Sequence, residues 1–334
     1  MASIRTEVTE ITTGLAMLGF RDLDTALNVE PPAIANVTDE HFSRLRSERS
    51  AGRHAALFET AWANGEAFAR AIDGLRGRPP WVVEWKGPHR PPGYEQIPAD
   101  LRIDHVYLVS CKYKSNILHN VSPGHLFDRL LAERSRSDDW YLEVAPEAYQ
   151  ELYAACRDHV GDSGLPPDVQ NITADARQVL KRRLPRRWPA TIKPIYANLA
   201  YEVARQSAER WEANLATKAK QEEMVWRLLR FQASPYFVLG AAMDGTPLQY
   251  RVATPWDFRE RFRLARFGAW PDVAGQPVVK WRAEAVDEMD GRQRSVEGHI
   301  EIRWSHGRFG QVPEAKVYLD SPHHEVPGYF QLEL

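Results

Sequence analysis

"PADLRIDHVYLVSCKYKS", residues 98–115, holds two strand-like runs on either side of Asp104-His105. "ADLRI" (99–103) and "VYLVSCKYK" (106–114) are β-branched and aromatic, and a two-residue connection between such runs marks a tight hairpin. Asp104 suits the turn itself. Side chains alternate along a strand, which puts Ser110 and Lys112 on one face of the second arm. An antiparallel partner brings Asp100, on the first arm, close to them. Lysines such as Lys112 and Lys114 keep strand edges from aggregating. A carboxylate and an ammonium group held side by side also suit a divalent cation and a phosphate.

Outward from the hairpin, "WVVEWKG" (81–87) reads as a further strand, joined to it through a Pro/Gly loop, "PHRPPGY". A helix over about 52–75 stops at "RGRPPW", because Pro79 and Pro80 cannot continue it. A shorter helix starts near His41, capped by Thr38 or Asp39, while residues 5–30 are mixed in pattern. Downstream, Ser122 and Pro123 open a helix predicted over 123–135, "WYLEVA" (140–145) reads as a strand, and a helix covers 146–160. The order is helix, three strands, helix, strand, helix. Residues 161–195 contain Gly, Pro and the cluster "KRRLPRRW" (181–188), and a long helix is predicted over 194–231. The last hundred residues hold short β-like runs, "SPYFVLGAAM", "PLQYRVAT", "PVVKWRAEAV", "SVEGHIEIRWSH" and "EAKVYLD", separated by Gly and Pro turns.

The chain of 334 residues is long enough for a sizeable core, and 43% hydrophobic with 26% charged residues is ordinary for a globular protein. A formal net charge of −2 gives no global basic field, so any nucleic-acid contact must be local. The two cysteines, Cys111 and Cys156, form no metal-ligand pattern and do not suggest a disulfide scaffold. The first residues lack a signal pattern, and no apolar run approaches the roughly eighteen residues of a membrane span. A cytoplasmic protein without membrane partners is the expectation.

Asp100, preceded by Pro98-Ala99, followed on the next strand by Ser110-Cys111-Lys112, resembles the PD-(D/E)xK nuclease superfamily, which includes most type II restriction endonucleases. The resemblance implies an α/β (α+β) fold, with a restriction-endonuclease-like core of a mixed sheet flanked by helices. A helical middle segment and a β-rich C-terminal portion would follow. It makes Asp100 a metal ligand and Lys112 the catalytic lysine, with the Cys111 carbonyl a further metal contact. Ser110 stands where the family carries an acid, so another carboxylate must migrate in. Glu84, in "WVVEWKG", is the first candidate, then Glu66 in the preceding helix, then Asp128 in the following one. A rival register pairs Asp73 with Glu84-Trp85-Lys86, although Asp73 sits at a helix end.

The activity implied is Mg2+- or Mn2+-dependent DNA hydrolysis, in restriction or anti-phage defence, by a homodimer with a methyltransferase or defence partner encoded nearby. Divisions at 1–160 (catalytic core), 161–232 (helical connection) and 233–334 (recognition) follow from the change in pattern. DNA contacts are expected from Lys114, Asn116, Lys181, Arg182, Arg183, Arg186 and Arg187. His299, Arg303, His306 and Arg308 in "EGHIEIRWSHGRFG" are expected to join them, and His299 with Glu301 offers a metal pair. "RERFRLARFG" (259–268) adds a second basic region through Arg259, Arg261, Arg263 and Arg266. "SNILHNVSPGH" supplies Asn116, His119, Asn120 and His125, which suggest a histidine-asparagine-histidine nuclease without its strand-turn-helix context. A nuclease-like module that binds nucleic acid without cutting it is the alternative, fed by Ser110.

Overall fold

The computed structural model describes residues 3–87, 99–132, 139–273 and 275–334. Its elements begin with α1 (Ile4–Ala16), α2 (Leu23–Val29), β1 (Ile34–Ala35), α3 (Asp39–Ser50), α4 (Ala55–Arg70), β2 (Val83–Trp85), β3 (Leu101–Ile103) and β4 (Tyr107–Tyr113). Next are β5 (Ile117–Val121), α5 (Pro123–Phe127), α6 (Trp140–Val144), α7 (Pro146–Val160), α8 (Ala174–Arg183), α9 (Lys193–Asn214) and α10 (Lys218–Leu228). The chain ends with β6 (Tyr236–Ala241), β7 (Pro247–Val252), α11 (Pro255–Arg261), β8 (Phe262–Val273), β9 (Pro277–Asp287), β10 (Gln293–Arg303), β11 (Glu314–Leu319) and β12 (Tyr329–Gln331). The fold is mixed α/β with a β-rich C-terminal part. The loop read at "PHRPPGY" lies outside the described residues.

Two units emerge, each assembled from separate stretches. The first comprises Met1–Asn116, Arg230–Phe262 and His323–Leu334; the second comprises Ile117–Leu229 and Arg263–Pro322. The contiguous division at 160 and 232 does not hold, because both sheets recruit strands from distant parts of the chain.

The first unit holds a seven-stranded mixed sheet in the order β1-β2-β3-β4-β6-β7-β12. Its hairpin is the predicted one: Leu101 faces Val109 and Ile103 faces Tyr107 across β3 and β4. Asp104 and His105 take φ values of 51° and 60°, the left-handed pair that a tight two-residue turn requires. The Asp104 carboxylate accepts N–H groups from Trp81 at 2.6 Å and Val82 at 3.1 Å, which ties the turn to the entry of β2. Val83, Trp85, Leu101, Ile103, Val109, Phe237 and Leu239 form the buried face of the sheet. Against it pack Val8, Ile11 and Leu15 of α1, whose spacing puts them on one helical stripe, and Phe58 and Phe68 of α4.

The parallel neighbour of β4 is β6, from Leu108 opposite Tyr236 to Tyr113 opposite Ala241. The expected strand "WYLEVA" is instead α6, in the second unit. Trp140 and Tyr141, adjacent in sequence, are both buried, and so is Ala145, which caps the helix; that is helical spacing rather than strand alternation. The helix predicted over 123–135 ends at Phe127, and "ILHNV" before it is the strand β5. The long helix predicted over 194–231 breaks near Leu215, and Thr217 caps α10 by accepting the Lys220 N–H.

The second unit contains the five-stranded sheet β5-β11-β10-β9-β8. Trp211 of α9 meets Phe267 of β8 edge-on at 5.2 Å, and Phe267 lies parallel to Trp281 of β9. The basic reading of "RERFRLARFG" becomes α11 and an amphipathic strand, with Leu264, Phe267 and Ala269 buried. The open edge of β8 is partly capped by helix side chains: Glu212 accepts the Ala269 N–H at 3.3 Å and Lys218 donates to the Ala265 carbonyl. Among the described residues no helix is long and apolar enough to cross a membrane.

Candidate active site

Strands β3 and β4 part beside Asp100. The last bonds between them involve Asp100, whose N–H donates to the Val109 carbonyl at 2.9 Å. β4 then runs on to Tyr113 with β6 on its other side. Leu108 and Lys114 donate their N–H groups to the carbonyls of Pro235 and Ala241, so even-numbered residues of β4 bond toward β6. Odd-numbered residues turn their N–H and C=O toward β3, where the pairing has ended. Cys111 therefore presents both groups to the gap. Its N–H is taken by Asp100 Oδ2 at 2.7 Å, and the same oxygen accepts the Ser110 hydroxyl at 3.3 Å.

Glu10 reaches this gap from α1. Its Oε2 accepts the Trp85 Nε1–H at 2.6 Å, and Trp85 pairs with Leu101, the residue after Asp100. Burial pushes the Glu10 carboxyl up to about 8, and the negative charge of Asp100 pushes in the same direction. Burial pushes the Lys112 ammonium down, while Asp100 pulls it back up. Asp100 thus acts on both a buried carboxyl and a buried ammonium group. Asp100 Oδ1 and Glu10 Oε1 take none of the bonds just described.

A divalent cation fits this donor set. Among the described residues no group of three or more His, Cys, Asp or Glu side chains gathers to hold a metal. A hard cation such as Mg2+ commonly uses one or two carboxylates, completing its shell with water and phosphate oxygens. Asp100, Glu10 and the Cys111 carbonyl would supply that kind of partial shell.

On the opposite face of the sheet from α1, Leu108, Ser110 and Lys112 stand in register with Tyr236, Val238 and Gly240. Val238 in turn faces Tyr250 on β7. Tyr236 also bonds the Ser110 hydroxyl, so the serine links Asp100 to a buried tyrosine. His323 stacks on Tyr250 with ring centres 6.0 Å apart and packs against Tyr329 at 5.9 Å. Burial and the nearby Lys112 charge lower its pKa to about 4, which keeps the imidazole neutral. Glycine at 240 is required by the close strand approach: a Cβ there would stand 1.8 Å from the Lys112 carbonyl oxygen.

The other candidate carboxylates are elsewhere. Glu84 shares the face of Ser110 but lies one row nearer the turn, clamped by Arg102 at 2.5 and 2.8 Å and by His105 at 2.9 Å. Its carboxylate is taken up in that charge cluster. Glu66 of α4 pairs with Arg70 at 3.7 Å and is half-exposed. Asp128 belongs to the second unit, where Arg210 holds both its oxygens at 2.6 and 2.8 Å. The rival register fails as well. Asp73 pairs with Arg251 of β7 at 3.6 Å, and β3, β4 and β6 separate that strand from the one carrying Glu84. The Cys111 thiol faces the core side, and burial drives its pKa well up, so it is no nucleophile.

The expected nucleic-acid contacts divide in the same way. Lys114 is exposed at the end of β4, and Asn116 follows it, half-buried. His119 is buried and donates toward the carbonyls of Arg227 and Leu228, which makes it structural and removes the histidine-asparagine-histidine reading. His299 bonds Asp320 at 2.8 Å and stacks on Tyr318 at 4.7 Å, so it is not paired with Glu301 around a metal. Arg303 is paired with Glu301 at 3.1 Å. Arg308 is turned inward to the carbonyls of Pro185 and Arg186. His306 and the side chains of Lys181, Arg182, Arg183, Arg186 and Arg187 are exposed.

Sequence reasoning missed Glu10, because residues 5–30 gave no strand or motif. The signal that could have found it is the stripe Val8, Ile11, Leu15 behind Ser3, which caps α1 by accepting the Thr6 N–H at 3.2 Å. Comparison with protein-family models, with curated proteins and with solved structures found no match.

Proposed function

We propose that this protein is a divalent-cation-dependent endonuclease that hydrolyses DNA phosphodiester bonds. The observation that carries the proposal is Asp100, which accepts the Cys111 N–H where β3 and β4 part and acts electrostatically on both Glu10 and Lys112. Asp100 and Glu10 would hold Mg2+ or Mn2+, and the bound cation would supply a more acidic water and charge compensation for a phosphate oxygen. Lys112 donates to a phosphate oxygen or to the attacking water. Ser110 and the Cys111 N–H orient Asp100, and Trp85 orients Glu10. A role in restriction or anti-phage defence, a homodimeric state and a methyltransferase encoded nearby belong to the same proposal.

Incubation of the purified chain with plasmid and phage DNA tests it. Nicking or linearisation in Mg2+ or Mn2+, lost in EDTA and lost in Lys112→Ala, supports the reading. Intact DNA under all conditions, with folded protein, overturns it. A nuclease-like module without hydrolysis is favoured by one observation, that a serine fills the acid slot and itself bonds Asp100. Calorimetry separates the two, since absence of Mn2+ binding at millimolar concentration favours the inactive module.

A further inference from the structure

The second unit carries a cluster of cations that its own acids do not neutralise. Between Ala176 and Tyr201 the chain has seven basic side chains and no acidic one, in a protein whose net charge is −2. Elsewhere arginines are mostly spent in ion pairs, such as Arg205 with Glu202 and Glu209, or Arg210 with Asp128 and Glu143. Among the described residues, Lys181, Arg186 and Arg187 have no acidic partner, and the Arg182 Nε–H donates only to the Gln178 carbonyl. Arg183 pairs with Asp162 at 3.2 Å and stays half-exposed. Like charges set this close repel one another, and among the described residues only Arg177 and Arg183 of this stretch pair with an acid, Asp139 and Asp162.

The cluster is also held in shape. Arg308, from the turn after β10, donates to the carbonyls of Pro185 and Arg186 at 2.6 and 2.8 Å. Its guanidinium lies 3.6 Å from the centre of the Trp188 ring, which packs on Tyr196 at 4.7 Å. The aliphatic stem of Lys181 lies along the same turn: a Cβ on Gly310 would come 2.9 Å from Lys181 Cδ, and one on Gly307 3.3 Å from its Cε. One arginine is thereby used as an internal brace, which fixes the backbone from which Arg186 and Arg187 project. A braced cationic loop loses less conformational freedom on binding than a floppy one.

We propose that the segment 181–187, the last turn of α8 and the turn that follows it, is a binding surface for the phosphate backbone of a nucleic acid. The ligand must be a dense, extended polyanion, because the cations lie along one short stretch and offer no base-reading carboxamide among them. A membrane surface fits less well. Leu184 is buried and Trp188 is sandwiched between Arg308 and Tyr196, so the segment exposes no large apolar side chain for insertion. This binding is independent of whether the first unit cuts.

Fluorescence anisotropy with a labelled mixed-sequence duplex, in EDTA across a salt series, tests the proposal on the full chain. Arg182→Ala/Arg186→Ala/Arg187→Ala should weaken binding by about tenfold or more and reduce the log–log salt slope by about two to three. The triple lysine variant should keep most of that slope. Arg308→Ala, which leaves the exposed charges in place, should weaken binding with little change in slope. Because EDTA withholds the cation from every sample, binding is read without cutting, and the two losses are separated. Unchanged affinity and slope in the triple alanine variant would sink the proposal. So would wild-type binding to phosphatidylserine vesicles that excess duplex fails to displace.

Discussion

At the scale of single residues, the site turns on which carboxylate joins Asp100. Glu10→Gln, Asp100→Asn and Lys112→Ala should each reduce DNA cleavage by about a hundredfold to a thousandfold, the range seen when one charge-stabilising group is removed from a reacting centre. Glu84→Gln should leave cleavage near the wild-type rate and weaken the fold by about 1–3 kcal/mol, since it loosens a buried pair with Arg102. The opposite ranking of Glu10 and Glu84 would return the site to the arrangement expected from sequence. Glu10 also predicts a pH dependence. Its pKa is raised from 4.5 to about 8 by burial and by Asp100, so the metal-free fold binds a proton that the unfolded chain has released between those values. The contribution is therefore intact below about pH 4.5, falls as pH rises, and is gone above about pH 8, with a slope of up to about 1.4 kcal/mol per pH unit. Urea unfolding in EDTA at several pH values should show this loss in the wild type, and Glu10→Gln should flatten it.

At the scale of elements, the position of Lys112 depends on how closely β4 approaches β6. Gly240→Ala places a methyl group against the Lys112 carbonyl, so the strands must separate at the residue that matters most. A loss of about 1–3 kcal/mol in urea unfolding is expected, together with slower cleavage. Beneath β4 a buried polar chain ties the sheet to its helices. Tyr113 Oη bonds Thr13 Oγ1 of α1 at 2.9 Å and accepts from Asn64 Nδ2 of α4 at 3.3 Å. Asn64 also donates to the Gly240 carbonyl at 2.9 Å and accepts from Gln249 at 3.0 Å. Asn64→Ala leaves several of these groups unsatisfied, and a destabilisation of about 2 kcal/mol or more should appear as a lower Tm. Because α1 carries both Thr13 and Glu10, that variant should also weaken cation binding.

At the scale of the whole molecule, the proposed cation site would couple to folding. An ion held by Glu10 and Asp100 would bind only where α1 and the strands are assembled, and would stabilise the native state by mass action. At a hundredfold excess over its Kd the gain is about 3 kcal/mol, readable as a rise in Tm with Mn2+. Asp100→Asn should abolish that rise while leaving the metal-free Tm within a few degrees of the wild type. A Tm that ignores Mn2+ in the wild-type chain would argue for the module that does not hydrolyse.

The hairpin from Leu101 to Tyr113 was legible in the sequence because its information is local. Alternating strand residues and a turn aspartate act over a few positions, so Asp100, Ser110 and Lys112 could be named before any coordinates. The same locality exposed the cluster around Arg186. What the sequence did not disclose was contact between distant segments. Glu10 lies far from Asp100 along the chain, and no periodicity says that α1 will lay it against Trp85. The partner of β4 is a strand beginning at Tyr236, with most of the second unit inserted before it, whereas the nearest strand-like run, "WYLEVA", became a helix once packing buried Trp140, Tyr141 and Ala145 together. Local pattern determined the ribbon; tertiary packing decided which buried acid feels the charge of Asp100, because burial and like-charge proximity exist only after the segments meet.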